Sequence, residues 1–227
     1  EICACLVGSE MCIRDRTRPA KMGQVYFVRH GQTIWNVENK ICGATDIALT
    51  ELGHKQAVET GKKILEQGIK ADEILYSPLI RAKDTALHIA EITGIPAREE
   101  ARLKEQNFGK YEGTPRNGEE FQKAKANFIN SYEGGESMLK LCHRIYDLLD
   151  DIKKESDQKT YLLVAHNGIS RAIQSYFGDM TNDDREYPIQ VFKGDSYGDG
   201  YYIENISQIS AKANNTAVID RNSRVYA

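Results

Sequence analysis

Two stretches of this chain end alike. Residues 25–31 read VYFVRHG and residues 161–168 read YLLVAHNG. In each, four or five apolar residues run without alternation and stop at a histidine, with a glycine next or one residue further on. A strand with one wet face alternates apolar and polar residues. A strand that is apolar throughout is covered on both faces, as in a parallel sheet flanked by helices. Ligands of open parallel sheets bind in the crevice at the carboxyl ends of the strands. If these two strands are parallel neighbours, His30 and His166 meet in that crevice, with Arg29 beside them.

The intervening segments fit such layers. Residues 51–67 have a helical period, with Leu52, Ala57, Ile64 and Leu65 turned inward and Gly68 closing the end. EILYS at 73–77 reads as a short strand. Pro78 then stands where helices begin, and LIRAKDTALHIAEITG runs on to the stop formed by Gly94 and Pro96. Residues 136–156 carry a continuous stripe of Met138, Leu141, Cys142, Ile145, Leu148, Leu149 and Ile152. ISRAIQSYFG follows the second histidine run as a helix. Strands alternating with helices predict an α/β fold, a three-layer α/β/α domain with a mostly parallel central sheet.

Arg81 opens the helix after the third strand, so it reaches the same sheet edge. Taken singly, each residue has an ordinary reading. A histidine at a strand end is usually a hydrogen-bonded core residue, and Arg81 a solvated helix residue or a partner of Asp84. Glu105 would be a surface carboxylate, and Gly31 and Gly168 turn residues. Two arginines and two histidines converging on one crevice make an anion site instead, and phosphate suits it best. A metal site is the rival for paired histidines. The chain has no His-x-x-x-His pair and no carboxylates clustered around His30, and the neighbouring arginines would repel a cation. No phosphate-cradling GxxxxGK[ST] loop and no GxGxxG is present. No metal and no cofactor are therefore expected.

With 227 residues, 41% of them hydrophobic, the chain has enough apolar material for one domain. A net charge of −3 gives no sign of a nucleic-acid partner. No apolar run approaches the roughly 18 residues of a membrane span. Three of the five cysteines crowd the first dozen residues, leaving Cys42 and Cys142 in the body. That is neither a disulfide framework nor a zinc site, so a cytoplasmic location is expected. Residues 6–16, LVGSEMCIRDR, have no structural period and resemble the translated transposase adapter used to prepare sequencing libraries. Residues 1–21 are accordingly read as a non-native leader, 22–207 as the domain and 208–227 as a polar tail. YGDGYYIENI, 197–206, reads as an edge strand.

Six blocks together resemble the histidine phosphatases, a family that includes the cofactor-dependent phosphoglycerate mutases. They are VRHGQTIWN at 28–36, DIALTELGHKQA at 46–57, YSPLIRAKDTA at 76–86, LKEQNFGKYEG at 103–113, GGES at 134–137 and VAHNGISRA at 164–172. They stand in family order across most of residues 24–178. The resemblance implies a phosphomonoesterase acting on a small phosphorylated metabolite through a phosphohistidine. It assigns His30 as nucleophile and Arg29, Arg81 and His166 as holders of the phosphoryl oxygens. Glu105 becomes the proton donor to the leaving alkoxide and then the activator of water. Asn36 matches a secondary phosphate contact, and Gly31 is read as letting backbone approach the phosphate. Asn167 interrupts the more usual His-Gly pair, and Cys42 stands where relatives often carry Ser, Thr or Gln, so both bear on substrate choice. Phosphoglycerate mutase is the alternative activity, and a non-catalytic phospho-ligand binder is a second. The 61 positions between Glu105 and His166 are fewer than mutases of the family usually have, which favours hydrolysis.

Overall fold

The structure, a computed structural model, describes residues 25–155, 159–177, 208–212, 215–219 and 225–226. Four strands form its main sheet: β1 (Val25–Arg29), β2 (Glu73–Tyr76), β3 (Ala97–Glu99) and β4 (Tyr161–Ala165). Their order is β1-β4-β2-β3, and every pairing is parallel. The two histidine-terminated runs are therefore neighbours, the condition on which His30 and His166 meet, with Phe27 opposite Leu163 and Arg29 opposite Ala165.

Register explains why these strands do not alternate in polarity. Tyr26, Leu162 and Ile74 share one row and turn to one face, where Ile64, Ala86 and Ile89 cover them. Phe27, Leu163 and Leu75 form the next row and turn to the other, under Leu141, Ile145, Leu148, Ile169 and Ile173. The first cover comes from α2 (Glu51–Glu66) and α3 (Ile80–Thr93), the second from α5 (Met138–Glu155) and α6 (Asn167–Phe177). Both faces are dry, giving the expected α/β/α layers. Leu163, wholly buried in the central strand β4, would cost about 2–5 kcal/mol if cut to alanine.

Helix ends follow their sequence signals. Thr50 caps α2, its hydroxyl accepting from Gly53 N at 3.0 Å. Gly94 ends α3 in the left-handed conformation at φ 72°. The inward face of α2 differs from the expectation. Leu52 and Leu65 are exposed, and Gly53, Ala57, Gly61 and Ile64 are buried instead. Small residues win because other elements come close: a Cβ on Gly61 would meet Ile92 of α3 at 3.0 Å. The stripe on α5 is as read, with Cys142 partly buried at its margin.

The chain between β3 and α5 makes an excursion. It carries 3₁₀ turns at Ala101–Leu103 and Gly109–Tyr111 and the short helix α4 (Glu119–Lys125). Phe108, Phe121, Ala124 and Tyr132 form a small separate core there with Ile41 from the segment after β1. A four-residue helix after β1, α1 (Ile34–Val37), lays Trp35 against Gly113, where an added Cβ would meet the indole at 3.3 Å. Within 208–227, read as a polar tail, β5 (Gln208–Lys212), β6 (Asn215–Ile219) and β7 (Val225–Tyr226) pair antiparallel. The leader expected at 1–21 and the edge strand at 197–206 lie outside the described residues. No described helix is long and apolar enough to cross a membrane.

Candidate active site

Parallel pairing turns two sequence-distant histidines into neighbours. His30 and His166 each follow the last residue of adjacent strands, and their ring centroids lie 5.1 Å apart. The other neighbour of β4 is β2, which runs out into Ser77 and then the first turn of α3. That turn carries Arg81. The residues read as one anion site are thus delivered by three adjacent strand ends.

The tautomer of His30 follows from its contacts. Its backbone N–H extends the ladder to the Ala165 oxygen at 3.0 Å. Its Nδ1 lies 2.7 Å from the Gly31 carbonyl oxygen. A carbonyl only accepts, so Nδ1 carries the ring proton and the neutral ring keeps its lone pair on Nε2. Arg81 Nε–H donates to that Nε2 at 3.3 Å. Burial, and after it the charges of Arg81 and Arg29, hold this imidazole well below its ordinary pKa. The ring is neutral at physiological pH with a lone pair turned to a cation.

Arg81 is wholly buried. Its terminal nitrogens donate to the carbonyls of Thr45 at 2.9 Å and Gly43 at 2.7 Å. Among the described residues no carboxylate forms an ion pair with it, and its hydrogen bonds go to two carbonyls and the His30 lone pair. Beside it, Arg29 Nε and His166 Nδ1 are buried without hydrogen-bond partners. Buried polar atoms are nearly always paired, so two orphans around one imidazole call for a ligand that supplies oxygen. His166 Nε2 lies 2.6 Å from Ser77 Oγ. A serine proton donated there leaves the ring proton on Nδ1, the orphaned atom. Burial first, then Arg81, keeps His166 neutral as well.

Glu105 reaches the same cleft from the excursion. Gln106 N donates to its Oε1 at 2.8 Å, and Gly168 N, in the first turn of α6, donates to its Oε2 at 2.9 Å. A Cβ on Gly168 would overlap this carboxylate, so the glycine makes room for it. Burial pushes the Glu105 carboxyl up from its ordinary value, against the downward pull of the two backbone donors. Arg144 braces the segment: it pairs with Glu136 at 2.8 Å and reaches the Glu105 carbonyl at 3.4 Å.

Asn36 and Asn167 both line the cleft. The Oδ1 of Asn36 is taken by Thr33 N at 3.0 Å in a capping box. Gly31 has another reason than the one expected. Its N–H donates to Thr85 Oγ1 at 3.1 Å, and a Cβ there would overlap the Gly53 carbonyl. The glycine admits the first turn of α2, and its amide is already occupied. Cys42 also lines the cleft.

Three basic residues in the cleft were not singled out from sequence. Arg116, Lys125 and Arg171 line the same volume of about 280 Å³ as His30 and Glu105. Burial, then Arg171 and Arg116, lower the Lys125 ammonium pKa, so the three feel one another. Arg171 lies over Phe128, its Cζ 5.6 Å from the ring centroid. Arg171 carried a legible signal, since it stands four residues after Asn167 on one helix face. Arg116 and Lys125 read as ordinary surface residues. Among the described residues no three histidine, cysteine or carboxylate side chains cluster closely enough to hold a metal ion.

Residues 25–191 match the histidine phosphatase superfamily, branch 1. A 2,3-bisphosphoglycerate-dependent phosphoglycerate mutase from Chelativorans sp. (strain BNC1) is 32% identical over 177 residues, 71% of this chain and 84% of its own. A probable phosphoglycerate mutase from Yersinia pestis (strain Pestoides F) is 36% identical over 152 residues, 64% of this chain and 70% of its own. Among solved structures, the mycobacterial glucosyl-3-phosphoglycerate phosphatase is similar with a TM-score of 0.62 at 27% identity, covering 70% of this chain and 81% of that one.

Proposed function

The chain belongs to the histidine phosphatase superfamily, and from that premise we propose that it hydrolyses small phosphomonoesters through a phosphohistidine on His30. One observation carries the reading. The proton of His30 is fixed on Nδ1 by the Gly31 carbonyl, which leaves the Nε2 lone pair in the cleft among cations that attract a phosphate.

In the first step Nε2 attacks phosphorus and the ester P–O bond breaks. The imidazole becomes positive, and the Nδ1–H bond to Gly31 stabilises that charge. Arg81 Nε gives up its long contact with Nε2 for a phosphoryl oxygen, and Arg29 and His166 hold the others. The leaving alkoxide takes the proton of Glu105, whose burial favours the acid form. In the second step Glu105 takes a proton from water, the water oxygen bonds to phosphorus, and the P–N electrons return to Nε2. Arg29 and Arg81 supply the positive charge, so a chelator should leave the rate unchanged.

Arg116, Lys125 and Arg171, which line the same cavity as His30, suit a second anionic group on the substrate. This observation also favours the alternative, phosphoglycerate mutase, whose substrate carries a carboxylate, and the two curated relatives bear that name. The deciding experiment gives the protein 3-phosphoglycerate with a trace of 2,3-bisphosphoglycerate, which phosphorylates the histidine a mutase must start from, and follows phosphorus NMR. Inorganic phosphate as the main product supports hydrolysis. 2-Phosphoglycerate, formed without phosphate release, would replace that reading with the mutase. Binding of phosphate without turnover of any phosphomonoester would leave a phospho-ligand binder.

A further inference from the structure

Arg81 is held by two carbonyls of one short strap, and that strap is tied on its other side to one carboxylate. The Gly43 and Thr45 oxygens that hold the guanidinium belong to a short strap, residues 42–45, between α1 and α2. The amides of that strap point the other way. Ala44 N donates to Glu112 Oε1 and Thr45 N to Glu112 Oε2, each at 2.7 Å. The Thr45 hydroxyl bonds to Oε2 as well, and Phe108 N donates to Oε1 at 3.1 Å. Four donors thus converge on one carboxylate, and among the described residues no basic side chain pairs with it. The strap is pressed onto its anchor: a Cβ on Gly43 would meet Glu112 Oε1 at 2.5 Å and Phe108 at 2.7 Å.

We propose that Glu112 is a positioning residue for the phosphoryl site, acting through the strap to aim Arg81 at His30. The proposal rests on reading His30 as the phosphoryl acceptor. The carboxylate makes no hydrogen bond or ion pair with His30 or Arg81, yet it holds the peptide unit that carries the Gly43 carbonyl through Ala44 N, and the residue that carries the Thr45 carbonyl through its N–H and hydroxyl. Only an ionised carboxylate answers four donors with acceptors alone. Glutamine would turn its NH₂ toward either the Ala44 or the Thr45 amide, leaving that donor facing another donor. Aspartate, one methylene shorter, would draw the strap away from Arg81.

The test compares Glu112→Gln and Thr45→Val with the parent, each alone and combined with Arg81→Lys. Rates are corrected for folded fraction, and the Arg81 Nε–H resonance is followed by nitrogen-edited NMR. Displacing an aimed group by about an ångström costs on the order of 100-fold. Glu112→Gln should therefore lower kcat/KM by about 10- to 100-fold, with a parallel loss of vanadate affinity, and should move the Nε–H signal. Thr45→Val, which removes one of the four donors, should move the same readouts less. In the Arg81→Lys background the Glu112→Gln change should add little, since both act through one group. A fall in melting temperature alone, with kcat/KM, vanadate affinity and the Nε–H signal unchanged, would overturn the proposal, as would full additivity with Arg81→Lys. If Glu112→Gln does not fold, Thr45→Val decides by the same readouts. Failure of the underlying reading is separate: the parent would transfer no phosphoryl group, and the Nε–H signal would still report whether Glu112 places Arg81.

Discussion

The floor of the cleft and its rim hold the same kind of charge under opposite conditions. On the floor Arg81 is wholly buried, with each guanidinium nitrogen given to a named acceptor. On the rim Arg116 is exposed, and Lys125 and Arg171 are half-buried. Floor residues come from strand ends locked in one parallel register. Rim residues come from the excursion before α5 and from the second turn of α6. On the proposed reading, a group that meets a transition state would be stiffened by the sheet, whereas one that sorts substrates would sit on connecting chain.

If that division holds, floor and rim substitutions should differ in kind as well as in size. His30→Ala should reduce turnover to background while part of the affinity for phosphate analogues survives, because Arg29 and Arg81 remain. Acid-labile, base-stable labelling should appear in the parent only. Label trapped on serine, cysteine or aspartate would break the floor assignment.

Glu105→Gln should cost on the order of 10²- to 10⁴-fold on alkyl phosphates, whose alkoxides need a proton as they leave. On nitrophenyl phosphate the pre-steady-state burst should fall far less. The pH profile of kcat/KM sharpens this. Protonation of His30 ends activity on the acid side, and its lowered pKa moves that limb well below its ordinary range. Ionisation of Glu105 ends it on the alkaline side, and its raised pKa moves that limb upward. Glu105→Gln should abolish the alkaline limb and keep the acid one. Equal losses on both substrates would make Glu105 a positioning group.

Lys125→Met tests the rim. A hydrogen bond to a charged group contributes about 1.5–3 kcal/mol, so KM for 3-phosphoglycerate should rise by roughly tenfold or more. Nitrophenyl phosphate, which lacks a second anion, should be hydrolysed as before. An equal loss on both would erase the distinction between rim and floor.

The smallest effect is on stability. His30 and His166 are held neutral, so their contribution is complete above the unfolded value of about 6.5 and is lost as pH falls through their lowered folded values. Glu105, raised by burial, has the opposite slope: its contribution is complete below about 4.3 and fades as pH rises through its folded value. Glu105→Gln should remove the opposing slope, so that melting temperature falls more steeply on acidification below pH about 6.5. An unchanged slope would mean that Glu105 titrates alike in both states.

The floor was legible because its signals are local. An unbroken apolar run announces a doubly covered strand, and a histidine at its end announces a position in the crevice. Adjacency of β1 and β4 is a condition that spacing leaves open and the strand order β1-β4-β2-β3 supplies. The rim was not legible, because Lys125 and Arg116 acquire meaning only when a seven-residue helix folds over the cleft. Leu52 and Leu65 mislead for a related reason. Side-chain size predicts inwardness only when neighbours leave space, and at Gly53 and Gly61 they do not. Glu112 lies within the LKEQNFGKYEG stretch, yet its four donors come from residues 44, 45 and 108, a convergence that spacing does not reveal.

Trp35 is the one tryptophan of the whole chain, and it lies against Gly113. Arg116 is three residues further along the same segment, its backbone tied to Asn39 and its side chain to Lys40. The indole is therefore an intrinsic optical probe beside the wall of the cavity that the proposed reading gives to the far end of a substrate. Its emission reports that wall without a label, in a chain where no second indole contributes background. Titration with 3-phosphoglycerate should change the emission, whereas inorganic phosphate, seated only on the floor, should leave the spectrum nearly as it was.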